Sequence, residues 1–239
     1  MLFRSRRTIF AVAQENSRYA LNSVLIEFPE EGKAQLVSSD GKRLALMPGA
    51  TTRSGAAPAG LTLVPPKALA LVQKTLVDPD EELEILVREN EILFRTGKVT
   101  IYSRLTDGRY PRYQDVFPPS PKVKAPLIVS RFLGAVRQAK IVTSEESKGV
   151  DFKFDDGTLT LRSRGAEIGQ SEIRLPIGYD GPPLEITFDP QLLIDALRVL
   201  DPEQDVSLEM IDDRKAAVLR TADQYAYLIM PLTRERERG

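Results

Sequence analysis

The sequence predicts an α+β protein of two domains, each built from a repeated unit of one amphipathic helix followed by antiparallel strands. Three observations predict it. Helical patterns begin near Arg4, Pro66, Ser130 and Pro190, a recurrence of roughly sixty residues. The stretches between them alternate apolar and polar residues with a period of two. A proline-rich stretch then divides the chain into halves. A fourfold repeat of this kind gives a curved scaffold whose equivalent helices share one task, so function belongs to a surface rather than to one reactive group.

Each helix carries a polar stripe. In the first, Ile9, Phe10 and Ala13 share the buried side, with Arg4, Arg7, Ala11 and Gln14 opposite. In the second, Leu69, Val72 and Leu76 point inward and Lys67, Ala70 and Lys74 outward, with Pro65-Pro66 marking the start. The third buries Phe132, Leu133 and Val136 and exposes Arg131, Gly134, Arg137 and Gln138. The fourth buries Leu193, Ala196, Leu197 and Leu200 and exposes Gln191, Asp195 and Arg198. Three of these four helices are net positive in a chain of formal net charge −1. Solvated Lys and Arg on exposed faces would give the same count, so this sorting of charge does not by itself establish a nucleic-acid surface.

Half-buried strands are read at Val24, Ile26 and Phe28, at Leu83, Ile85 and Val87, at Val99 and Ile101, at Val150, Phe152 and Phe154, and at Val206, Leu208 and Met210. Hairpin turns are expected at Glu31-Gly32, Asp40-Gly41, Thr96-Gly97 and Asp156-Gly157. One face of such sheets meets the helices. The stretch from Pro118 to Pro126 has four prolines in nine residues and predicts the linker, giving domains 1–121 and 122–239. The mixed-charge tail from Thr233 to Gly239 reads as frayed.

Composition narrows the function. At 239 residues, 42% hydrophobic and 28% charged, the chain can bury two ordinary cores. It has no Cys and no His. These absences remove disulfides, thiolate and imidazole metal sites, and the usual general base at neutral pH, and they suit a reducing cytoplasm. The reading is therefore a non-enzyme without cofactor. Asp78, Asp80, Glu81 and Glu82 crowd one loop, which reads as a solvated turn rather than a metal site. Arg4, Arg6 and Arg7 ahead of a short apolar stretch read as a basic amphipathic helix, a signal peptide being the alternative. No stretch has the ~18 apolar residues of a spanning helix.

Four motifs carry a family resemblance: Ser17 to Leu25 (SRYALNSVL), Ser38 to Ala45 (SSDGKRLA), Leu105 to Tyr113 (LTDGRYPRY) and Tyr227 to Leu232 (YLIMPL). In this order and spacing they resemble the bacterial DNA polymerase III β sliding clamp, over nearly the whole chain from Phe3 to Leu232. The resemblance covers the second and third of the family's three domains, and the first has no counterpart. It implies two DNA-clamp-type domains and a pocket between them for a short linear peptide from the DNA polymerase III α subunit, the clamp loader and repair proteins. Its walls would be Leu21, Ser39, Gly41, Lys42, Arg43, Leu44, Pro111, Val116, Leu192, Leu228, Met230, Pro231 and Leu232. Apolar side chains would anchor the peptide, and Arg43 with the backbone near Gly41 would orient its polar groups. Leu192 replaces a family tyrosine and Asp115 a family arginine, which implies partners tolerant of an acidic rim. Taken singly, Leu21, Val116 and Leu228 would more often be core residues, and Asp40-Gly41 is first a hairpin turn; only their joint arrangement favours a binding site.

The resemblance also implies sequence-independent contact with double-stranded DNA through Arg7, Arg18, Tyr19, Lys67, Lys74, Arg131, Arg137 and Arg198. Glu15 replaces a family glutamine near the DNA path. Ile141 and Val142 would lie on the subunit face that the family's first domain covers, and would be exposed here. The chain then reads as a processivity factor, or its two-domain part, in a homo-oligomeric ring that three copies could complete. The alternative is an adaptor that binds clamp-motif peptides without encircling DNA.

Overall fold

In the computed structural model, residues 5–15, 18–56, 58–76, 81–144, 148–165 and 169–233 are described. Arg4, Asn16 and Ser17, Asp78 and Asp80, and the tail 234–239 lie outside the described residues. The chain divides into two compact units, Met1–Tyr113 and Gln114–Gly239.

The described part of the first unit begins with helical Ser5 and Arg6, followed by a turn and a 3-10 helix at Ile9–Ala11. Strands β1 (Val24–Glu27), β2 (Lys33–Ser39), β3 (Arg43–Ala50) and β4 (Thr62–Val64) follow, in the sheet order β4-β1-β2-β3. Helix α1 (Pro66–Thr75) leads to β5 (Glu84–Val87), β6 (Glu91–Arg95) and β7 (Thr100–Arg104), an antiparallel sheet in sequence order. Helix α1 starts where Pro66 can occupy the first turn without wasting a donor, and it ends with Lys74 in its last turn, favourably placed against the helix dipole. Its Leu69 and Val72, with Leu76 just beyond, pack into a core with Val12, Val24, Ile26, Leu36, Ile92 and Phe94. Burial of side chains of this size contributes roughly 1.5–3 kcal/mol each.

The second unit runs β8 (Val123–Ile128), α2 (Val129–Lys140), β9 (Val150–Asp155), β10 (Thr158–Gly165), β11 (Gly169–Pro176), β12 (Leu184–Phe188), α3 (Pro190–Leu197), β13 (Asp205–Met210), β14 (Ala217–Thr221) and β15 (Ala226–Ile229). Its sheets are ordered β11-β10-β9-β12 and β15-β14-β13-β8. Phe132 of α2 meets Phe152 edge-on at 6.2 Å, and Phe152 meets Phe188 at 5.3 Å. Asp189 caps α3 by accepting from the Gln191 N–H at 2.9 Å.

The expected hairpins close where the sequence placed them. Gly32 (φ +77°), Gly41 (φ +88°) and the pair Asp156 (φ +39°) and Gly157 (φ +70°) supply the positive φ that tight turns require. Part of the proline-rich stretch expected as linker is structured: Val123–Ile128 is β8, paired to β13 from Val123↔Met210 to Ile128↔Asp205. Pro126 is tolerated there because β8 is an outer strand of its sheet. Val99, expected on a strand's inner face, precedes β7 and is exposed.

Candidate functional site

In the first unit the β2–β3 turn is a self-bonded loop. Ser39 Oγ donates to the Arg43 carbonyl at 2.7 Å and accepts from the Gly41 N–H at 3.1 Å. Asp40 accepts from the Lys42 and Arg43 N–H groups and, at 2.9 Å, from Arg43 Nε. Arg43 Nη2 donates to the Phe10 carbonyl at 3.0 Å, and the guanidinium lies 5.4 Å from the Phe10 ring centroid. Arg43 therefore ties the turn to the N-terminal segment. Its fork is turned onto Asp40 and the Phe10 carbonyl. Gly41 and Lys42 are exposed, whereas Ser39 and Leu44 are buried and back the surface.

The loop carrying Pro111 is fastened to the segment carrying Leu21. The Ala20 N–H donates to the Arg109 carbonyl at 2.9 Å, and Ser23 Oγ donates to Thr106 Oγ1 at 2.7 Å. Gly108, at φ +150°, lets the two backbones approach so closely that an added Cβ would stand 2.9 Å from the Ala20 Cβ. Leu21 and Pro111 are half-buried as a result. Beneath them the Tyr113 hydroxyl donates to the Glu27 carboxylate at 2.5 Å, and Gln35 Nε2 donates to the same oxygen at 2.8 Å. Burial, helped by the Glu27 charge, pushes the Tyr110 hydroxyl far above its ordinary value.

In the second unit Leu192 sits in the first turn of α3, and its carbonyl accepts from the Tyr227 hydroxyl at 2.8 Å. The Leu232 N–H donates to the Thr187 carbonyl at 2.8 Å, so the chain past β15 is held beside β12. These two bonds gather Leu192 and the run Leu228 to Leu232. Leu228 is buried, while Met230 and Leu232 remain 42% and 38% exposed. Val116, at the end of the 3-10 helix Tyr113–Val116, is 49% exposed. Large apolar side chains left this open on an otherwise well-packed unit suit an apolar ligand.

Among the cationic candidates, Lys67, Lys74, Arg131, Arg137 and Arg198 are exposed on or beside their helices. Arg18 is exposed, its guanidinium 4.9 Å from the Tyr19 ring centroid and donating to the Tyr19 hydroxyl at 2.7 Å, a bond that raises its pKa further. Arg7 is the exception. It is 2% exposed, in the core rather than on the outer stripe, and Ala11 is buried with it. Arg7 and Thr8 form a turn between helical Ser5-Arg6 and the 3-10 helix Ile9–Ala11, so an α-helical stripe does not run through them, and Ser38 Oγ, thirty residues along the chain, donates to the Thr8 carbonyl at 2.5 Å. Sequence reasoning also passed over Arg6 and Lys140, both exposed. Lys140 lies one turn beyond Arg137, a spacing that marks it as part of the same stripe, and it donates to Gln191 Oε1 of α3. Ile141, just after α2, is 72% exposed, and Val142 is half-buried. Among the described residues no group of three acidic side chains could hold a metal ion, and no helix is long and apolar enough to cross a membrane.

Family models match both units: the DNA polymerase III beta subunit central domain over residues 4–112, and its C-terminal domain over 114–233. The chain belongs to the DNA polymerase III beta subunit family. The beta sliding clamp of Pseudomonas putida is 32% identical over 236 residues, covering 95% of this chain and 61% of that protein. The Chlamydia pneumoniae beta sliding clamp is 30% identical over 227 residues, with the same coverage. The crystal structure of the Pseudomonas aeruginosa sliding clamp with ligand superposes with TM-score 0.89 at 28% identity, covering 98% of this chain and 63% of that one. The Bacillus subtilis clamp gives 0.88 at 25%, covering 98% and 62%. The chain thus spans less than two thirds of the length of these family members, and the matched models are those of the central and C-terminal domains.

Proposed function

We propose that the chain is a sliding-clamp processivity factor, or the two-domain part of one, that performs no chemistry. It tethers a replicative polymerase to duplex DNA by holding a short linear peptide, and the clamp loader and repair proteins present peptides of the same kind. The observation that carries this reading is the pairing of exposed Lys67, Lys74, Arg131, Arg137 and Arg198 on helical elements with a formal net charge of −1. Such a surface attracts phosphates diffusely and reads no bases, which a sliding tether requires. Arg18 and Tyr19 add a cation and a ring to the same task.

The apolar contribution comes from Leu21 and Pro111 in one unit and Val116, Leu192, Met230, Pro231 and Leu232 in the other, with Ser39, Leu44 and Leu228 as buried support. Gly41 and Lys42 of the first unit offer an exposed backbone and a charge. The Pseudomonas aeruginosa clamp has been crystallised bound to griselimycin, so a clamp of this family takes a ligand. Ile141 and Val142 belong, in this reading, to the face that joins copies into a cytoplasmic homo-oligomeric ring.

The test is molar mass by light scattering over a concentration series, followed by gel filtration with nicked circular DNA. A closed homo-oligomer that stays on the circle and leaves after linearisation is the expected result. A monomer at every concentration, with no difference between circle and line, would overturn the encircling function and leave a peptide-binding adaptor.

A further inference from the structure

The sheet β5-β6-β7 buries Ile92 and Phe94 on its inner face, in the core beneath α1. Its outer face therefore consists of the alternate residues, and strand pairing arranges them in three rows. Leu86↔Leu93↔Tyr102 form the middle row. Glu84↔Arg95↔Thr100 form the row on one side, and Arg88, Glu91 and Arg104 the row on the other. Leu86 and Tyr102 are 50% and 56% exposed, and Leu93 is half-buried between them. Scattered exposed apolar residues need no explanation, but three in register across every strand of a sheet make a continuous patch.

The second unit closes the same place. Strands β13-β14-β15 follow α3 as β5-β6-β7 follow α1, and their outer row Glu209↔Val218↔Leu228 is buried throughout. Phe117 of the same unit lies against this face, its ring centroid 6.0 Å from the Arg220 guanidinium.

Charge identifies what the open row takes. Glu84 pairs with Arg95 in one outer row, and Arg88 pairs with Glu91 at 2.9 Å in the other. Read from β5 to β6, one row is minus-plus and the other plus-minus. A two-fold axis lying along the apolar row exchanges the outer rows. It sets Glu84 against the partner's Arg88, Arg95 against the partner's Glu91 and Thr100 against the partner's Arg104. Leu86, Leu93 and Tyr102 then meet their own counterparts. A surface complementary to itself in this way is the condition for an isologous contact.

We infer that the outer face of β5-β6-β7 binds the same face of a second copy, sheet on sheet across a two-fold axis. Three strands ~4.8 Å apart, with five residues each at ~3.3 Å, offer about 250 Å² on each copy. A standard interface has ~800 Å² per partner. The association is therefore transient, with a Kd of about 0.1–1 mM, and its exposed charges make it weaken with salt. Helix α1, with exposed Lys67 and Lys74, lies on the opposite face of the sheet, so the pairing leaves those cations open. This inference does not depend on DNA or peptide binding, nor on the face carrying Ile141.

The chain has no Cys, so single cysteines in the full chain report the contact. Leu86→Cys, and Glu89→Cys as a control on the same hairpin, are treated near the expected Kd with a bis-maleimide that spans the ~10 Å between facing sheets. Leu86 lies on the axis, whereas Glu89, exposed in the β5–β6 turn, is carried away from its counterpart. Leu86→Cys is expected to cross-link about tenfold faster than the control. Adding Glu84→Arg to Leu86→Cys, or adding Arg88→Glu, should lower the rate to that of the control, because like charges then meet. An equimolar mixture of these two double variants should restore the rate, since opposite charges face each other again at both positions, a recovery that misfolded chains would not show. Equal rates for Leu86→Cys and the control would overturn the inference and leave the row to a different protein. A mixture no faster than its components, or cross-linking unaltered by either charge change, would overturn it as well.

Discussion

Replacing Gly108 by Ala perturbs the contact that holds Pro111 against the segment of Leu21. Two costs act together. The backbone at φ +150° is a conformation that L side chains rarely adopt, and the new Cβ would stand 2.9 Å from the Ala20 Cβ. That neighbour cannot rotate away: Ala20 is 8% exposed, and its N–H is bonded to the Arg109 carbonyl at 2.9 Å. Strained φ costs about 1–3 kcal/mol, and overpacking adds a similar amount. A total of about 3 kcal/mol corresponds to a fall in Tm of roughly 6–12 °C for a chain of this size. Differential scanning calorimetry measures it. Gly41→Ala is the internal control, because Gly41 shares the positive φ (+88°) but a Cβ there meets nothing within 4 Å. It should lose only the strain part, about 1 kcal/mol. A Gly108→Ala protein that melts within about 1 °C of wild type, or no lower than Gly41→Ala, would refute the close-approach argument.

Two further predictions follow from the charge distribution. Tyr110 has a folded-state pKa raised above the ordinary value of 10.0, so its contribution is fully present below about pH 10 and is lost as pH rises through the folded pKa. Tm should therefore fall more steeply above about pH 10 in wild type than in Tyr110→Phe; parallel curves would contradict the burial. Changing Lys67, Lys74 and Arg131 together to Gln should reduce the salt dependence of DNA binding by about 2–3 in log–log slope, each lost phosphate contact contributing about 0.9. A weaker affinity at unchanged slope would place these cations away from the DNA.

What the sequence made legible was local and periodic. The helices at Pro66 and Pro190 were readable from proline starts and apolar spacing, and the buried positions Leu69, Val72, Leu193, Ala196 and Leu197 follow that phase in the structure. Arg7 was not legible, because its burial depends on a 3-10 turn pinned by Ser38, thirty residues along the chain. The bond from Arg43 to the Phe10 carbonyl, thirty-three residues away, could not be read from the sequence. The Tyr113–Glu27–Gln35 bonds are equally nonlocal and leave no periodic trace. The proline cluster reads as linker along its whole length because proline density signals one, while its far end is an outer strand that tolerates Pro126.

The central claim is that exposed apolar side chains past β15 hold a partner's linear peptide. It is tested most directly by fluorescence anisotropy with a labelled peptide from a replicative polymerase's clamp-binding segment, comparing wild type with Met230→Ala/Leu232→Ala. With 42% and 38% of these residues still exposed, their remaining burial against a ligand is worth about 1 kcal/mol each. The account predicts measurable wild-type binding weakened roughly thirtyfold in the double variant, at nearly unchanged Tm. Binding of equal strength in both proteins would contradict it.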